Sequence, residues 1–226
     1  MSAFLRAAWL VAETDLRIEL RTGEIVVTTG FFAVLVTVIA SISFYVDRET
    51  ARIVAPGVLW VAIAFAGVLA LSRTFARERD NDAFRALLGA PIPRPAIYLG
   101  KAVGALAFLL VVEVLLVPLV ALFFHLDLLA IGVQLASVVV LGTLGFVFAG
   151  TLFAAMGVRT GGRELVLAIA LFPLLSPALL SGVVATRELL GGASLGEIAG
   201  WLRILGAFDV VFFTGGVLLF PVLVSE

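Results

Sequence analysis

Six apolar runs alternate with polar breaks along this chain, at about residues 25–46, 53–72, 96–124, 129–157, 165–184 and 202–224. About 20 apolar residues in a helix cross the ~30 Å hydrocarbon core of a bilayer, so each run predicts one transmembrane span. Residues 1–23 follow a different rule. Leu5, Trp9, Ala12, Leu16 and Leu20 fall on one helical stripe, while Glu13, Arg17 and Arg21 form the opposite one. That spacing predicts an amphipathic helix lying along the membrane, with Glu13 and Arg17 paired at i, i+4; a helix packed on a partner is the other reading.

The longest polar interruption, Arg73 to Pro95, separates the second and third runs. Within it Phe84, Leu87 and Leu88 stand at i, i+3 and i+4, and Asp80, Asn81 and Asp82 can cap a helix start. Gly89 suits the position after a helix end, and Pro91 blocks continuation. The pattern predicts a short helix over about 82–88 with an outward apolar knob. A solvated loop is the alternative.

Punctuation inside the runs adds detail. Pro56 falls in the first turn of the second run, where a missing N–H costs little. The third run holds Lys101, Glu113 and Pro118, and a short His125-Leu126-Asp127 turn leads to the fourth, whose Gly142, Gly145 and Ala149 suit close helix packing. Pro173 and Pro177 in the fifth run predict a bend or break facing other helices. Residues 183–200 are too mixed to span and predict a pair of short or re-entrant interfacial helices. Asp209 lies within the first third of the last run.

Composition makes the membrane reading firm. The 226 residues are 62% hydrophobic and 14% charged, with mean hydropathy +1.21, well beyond a soluble domain. A net charge of −1 gives no support for a nucleic-acid partner. With no cysteine, disulfides, thiolate catalysis and Cys-based metal sites are excluded. No cleavable signal-peptide pattern opens the chain. Of the 15 Lys and Arg, Arg6, Arg17, Arg21, Arg73, Arg77, Arg79, Arg85, Arg94, Lys101, Arg159 and Arg163 fall on one side of a six-span arrangement. The positive-inside bias puts that side, both termini and residues 73–95 in the cytoplasm.

Catalytic signatures are missing: there is no H-E-x-x-H, no G-x-S-x-G and one histidine, while Gly100-Lys101-Ala102 lacks the rest of a Walker A loop. No catalytic, cofactor or metal residues are assigned, and ATP would have to be hydrolysed by a separate subunit. Glu113 and Asp209 are the carboxylates well inside apolar runs, where a charge costs at least about 2.5–3.5 kcal/mol. They are candidates for a role in transport, with structural pairing as the alternative. Three helical turns separate Lys101 from Glu113, too far for a direct pair. His125 is a candidate outer-side haem contact, because imidazole is a common axial ligand; an interface residue in a tight turn is the alternative.

Several segments carry a family resemblance: DLRIELRTGE at 15–24, APGVLWVA at 55–62, LLGAPIPRP at 87–95, LGTLGFVFAG at 141–150 and FPLLSPALLSG at 172–182. The chain resembles the CcmB family, the haem exporter protein B of bacterial cytochrome c maturation, over nearly its full length. The resemblance implies an all-α integral membrane protein, one six-span permease domain of the ABC-2-like exporter kind with a leading interfacial helix and a cytoplasmic coupling helix. It implies a non-catalytic subunit of the bacterial inner membrane, a homodimer or multi-subunit complex in the lipid bilayer. A CcmA-like ATPase would dock on Asp82, Phe84, Arg85, Leu87 and Leu88, with CcmC-, CcmD- and CcmE-like proteins as further partners. No cofactor would be bound directly; ATP would act through the partner, with haem as cargo of the complex or haem-loaded chaperone released outside. A departure is Arg85 in FRALLGAP, where the family carries an acid or amide. The alternatives are an ABC-2 permease exporting a lipid, polysaccharide or drug, and a membrane scaffold that moves nothing.

Overall fold

A computed structural model describes residues 3–44, 48–80, 87–160 and 164–224. Among these residues seven long helices form: α1 (Ala3–Thr22), α2 (Glu24–Ser43), α3 (Arg48–Asp80), α4 (Arg94–Phe123), α5 (Leu128–Thr160), α6 (Glu164–Leu190) and α7 (Ala199–Leu223). With no water to satisfy backbone groups in lipid, apolar runs of this length adopt helices that close their own hydrogen bonds. Five of these helices, α2, α3, α4, α5 and α7, are long and apolar enough to cross a membrane. The protein is a multi-pass integral membrane protein.

α3 and α5 form the middle of the bundle. α3 packs on α2, α4, α5 and α6, and α5 on α3, α4, α6 and α7. The main core runs between them through Trp60, Ile63, Leu71, Leu109, Leu116, Phe146 and Leu175. α2 and α7 lie outside, and Phe31, Ile39, Ile42, Val210, Val211 and Leu218 are exposed where lipid would cover them.

α1 packs along α4. The Glu13–Arg17 pair forms, but the apolar stripe is divided. Leu5, Trp9 and Leu20 are exposed, whereas Ala12 is buried together with Ala8, Val11 and Glu19. Small residues let α1 approach α4 closely at Gly100, where a β-carbon would strike the Ala8 carbonyl oxygen and Val11.

Elsewhere the helices are longer than their apolar patterns. α3 begins at Arg48 and runs to Asp80, so Pro56 is inside it rather than in its first turn, and the start of the charged stretch is helical. At 33 residues it is about 50 Å long, more than the hydrocarbon core requires.

α6 also departs from expectation. It runs unbroken through Pro173 and Pro177 to Leu190, so residues 183–190 belong to it rather than to a re-entrant segment. Both prolines are on the exposed side, not against other helices. Pro177 cannot donate to the Pro173 carbonyl, and Ser176 Oγ donates to it instead, at 2.7 Å. Beyond Leu190, Gly192 (φ 96°) closes the helix. Its N–H donates to Leu189 O and that of Ala193 to Glu188 O, both at 3.0 Å, a Schellman closure. Ser194 then starts a turn held by Glu197, whose Oε2 accepts the Ser194 N–H at 2.7 Å and its hydroxyl at 2.8 Å.

Candidate functional site

Two places gather the residues singled out in the sequence. One is at the N-terminal end of α4, and the other surrounds a single turn of α5.

Asp82, Phe84 and Arg85 lie outside the described residues. Leu87 and Leu88 are half-buried and packed on Ile97, Tyr98, Leu152 and Phe220, so their side chains are partly turned into the protein rather than forming an outward knob. Gly89 and Pro91 carry the exposed side of this segment. Arg94 Nη1 donates to the Pro221 carbonyl at 3.1 Å, which fixes the end of the segment to the last turn of α7. Tyr98 Oη lies 3.0 Å from Phe148 O and 3.2 Å from Phe212 O, sharing its one proton between α5 and α7.

The second place is built from Gly142-Thr143-Leu144-Gly145 of α5, each end of which meets a different helix. A β-carbon on Gly142 would overlap the indole of Trp60, and so would one on Gly182 of α6. Glycine at both positions opens a slot that the indole fills. Its Nε1 donates to Thr186 Oγ1 at 3.0 Å, so the buried donor is satisfied. This bond extends the packed part of α6 past residue 184. Thr143 donates through Oγ1 to Glu113 Oε1. Gly145 faces α7, where a β-carbon would crowd Asp209 Oδ1 and Phe208.

Glu113 is 4% exposed and Asp209 8%. Glu113 Oε2 and Asp209 Oδ1 are buried with no hydrogen-bond partner among the described residues. A buried polar atom without a partner costs free energy, all the more in a membrane span. The sequence identified both carboxylates but gave no sign that one turn of α5 holds them on different sides.

His125 is exposed at φ 53° in the turn between α4 and α5. It is not brought together with the carboxylates.

The sequence missed the partner of Lys101. Its side chain is 1% exposed, and Nζ donates to Asp15 Oδ1 at 2.8 Å and Oδ2 at 3.0 Å. Asp15 and Glu19 both come from the DLRIELRTGE segment, and their roles are distinct. Asp15 holds α1 to α4, and Glu19 Oε1 accepts the Val26 N–H at 2.8 Å, capping α2. Between them Gly23, at φ 61°, turns the chain from α1 into α2. No local pattern pointed to Asp15, because the pair joins positions 86 residues apart.

Among the groups outside the spans, Glu197 is held below the ordinary carboxylate range by the backbone N–H and the hydroxyl of Ser194.

The family described as CcmB protein matches residues 6–222. A protein named heme exporter protein B from Paracoccus denitrificans is 33% identical over 187 residues, covering 79% of this chain and 82% of the relative. Those of the same name from Rhodobacter capsulatus and Bradyrhizobium diazoefficiens are 31% and 28% identical, and each covers more than three quarters of both chains.

Proposed function

The chain belongs to the CcmB family, and on that premise we propose that it is the membrane component of a haem exporter complex. In that role it couples ATP hydrolysis by a CcmA-like subunit to haem export, or to release of a haem-loaded CcmE-like chaperone on the outer side. The family match over residues 6–222 is the observation that carries this reading. CcmC- and CcmD-like proteins complete the complex. The chain itself performs no catalysis; haem is cargo.

The proposed arrangement has six spans, with α6 crossing alongside the five clearly apolar helices, in the ABC-2-like manner. Both termini and residues 73–95 face the cytoplasm of a bacterium whose inner membrane holds the complex. The ATPase docks on the segment around residues 82–91. Because Leu87 and Leu88 also pack inward, the exposed Gly89 and Pro91 are the better probes of docking.

A β-carbon on Gly89 meets open space, so Gly89→Glu adds a charge to the exposed face without disturbing the bundle. Affinity purification of the tagged chain from its native membranes is expected to recover an ATPase together with haem-maturation proteins, and Gly89→Glu to reduce ATPase recovery by burying a charge at the contact. Recovery of an ATPase with a lipid, polysaccharide or drug exporter's components would favour the other ABC-2 reading. Recovery of no ATPase would leave a membrane scaffold.

A further inference from the structure

Leu87, Leu88 and Ile92 pack into a cluster made by α4, α5 and α7, separate from the main core, and no described side chain of α3 belongs to it. Its contacts with α7 are directional. The Arg94 guanidinium donates to Pro221 O in the last turn of α7, where carbonyls lack the N–H of a following turn. The Tyr98 ring meets the Phe220 ring with centroids 5.7 Å apart and fills the notch at Gly216, where a β-carbon would strike it. Its hydroxyl reaches Phe212 O. Three successive turns of α7 are thus gripped by two residues.

From this joint we infer that residues 87–98 and the cytoplasmic half of α7, residues 212–224, move as one body, with Arg94 and Tyr98 as positioning residues. A force on the cytoplasmic segment then enters the membrane along α7. The inference rests on the reading that a partner docks on that segment. Its destination is visible in the packing: the Phe212 ring packs tilted on Phe208 with centroids 4.5 Å apart, and Phe208 and Asp209 are the side chains that face Gly145 of α5. Displacing α7 therefore disturbs the turn of α5 that also holds Glu113 and Trp60.

The chain has no native cysteine, so spin labels can be placed in pairs at Pro91→Cys with Val222→Cys, and at Pro91→Cys with Leu180→Cys; all three positions are exposed. In the full chain alone, in nanodiscs, the 91–222 distance is expected to be narrowly distributed. Adding Tyr98→Phe and Arg94→Gln, which keep the ring and most of the side-chain volume, is expected to widen it about two-fold. An unchanged width would overturn the joint. In the complex with ATPase and ATP, the 91–180 distance is expected to shift while 91–222 stays fixed; a shift in 91–222 would overturn the inference. The double variant is expected to retain ATP hydrolysis and lose c-type cytochrome yield, and equal loss of both would count against transmission through these residues. If no ATPase binds at all, the docking reading fails, while the widths measured on the chain alone still decide the joint.

Discussion

At the scale of single residues, Trp60 shows how much depends on groups that carry no chemistry. Its indole stands between Gly142 and Gly182, and its N–H is bonded to Thr186. The three segments APGVLWVA, LGTLGFVFAG and FPLLSPALLSG meet at this one ring. Gly182→Ala is expected to force the indole aside at a cost of about 1–3 kcal/mol. The thermal midpoint of the detergent-purified protein should fall and its tryptophan emission shift; an unaltered midpoint would mean that the slot has room to spare. The carboxylates Glu113 and Asp209 were legible in the sequence because acids are costly in apolar runs. Their neighbours were not, because the contacts join residues thirty or more positions apart, as Glu113 and Thr143 are.

At the scale of elements, α1 is clamped to α4 while part of its apolar stripe stays exposed. Its exposed Leu5, Trp9 and Leu20 suit a membrane surface, while Asp15 binds buried Lys101. Lys101→Met would leave the Asp15 carboxylate, 12% exposed, against α4 without its cation. Removing one partner of a buried pair costs up to about 3–5 kcal/mol. Limited proteolysis should then release α1 early, and adding Asp15→Leu should restore part of the protection; equal protection of wild type and Lys101→Met would deny the clamp. The connection from α6 to α7 has a different sensitivity. Glu197 is held below the ordinary carboxylate range by Ser194, so its contribution to this turn is complete above the unfolded value of about 4.3 and is lost as pH falls through the lower folded value. The amide protection factor at Ser194, taken relative to the intrinsic exchange rate at each pH, is expected to fall in acid, and Glu197→Gln to remove that dependence. The extension of α6 through residues 183–190 was hidden because Arg187 and Glu188 interrupt the apolar run. They are tolerated at the helix end, where Arg187 is exposed and Glu188 accepts a hydrogen bond from Trp201 Nε1 at 3.1 Å.

At the scale of the whole molecule, the two ends of the bundle differ: residues 87–92 gather at one end, and the Schellman turn and the Ser194–Glu197 turn lie between α6 and α7. Single cysteines at Gly89 and at Ser194, both exposed, are expected to react with a membrane-impermeant maleimide from opposite faces, Gly89→Cys from the cytoplasm. Labelling of both from one face would remove the six-span arrangement. The sequence by itself determined the helical class, the approximate place of the spans and the family, because hydrophobic period, length and local motifs are properties of neighbouring residues. Only the tertiary structure decided that Asp15 answers Lys101, that Trp60 fills a slot between two glycines, and that residues 87–98 are joined to α7 through Arg94 and Tyr98. Each of those depends on which side chains meet after distant helices pack, and an apolar run of one length presents every face until its neighbours select one.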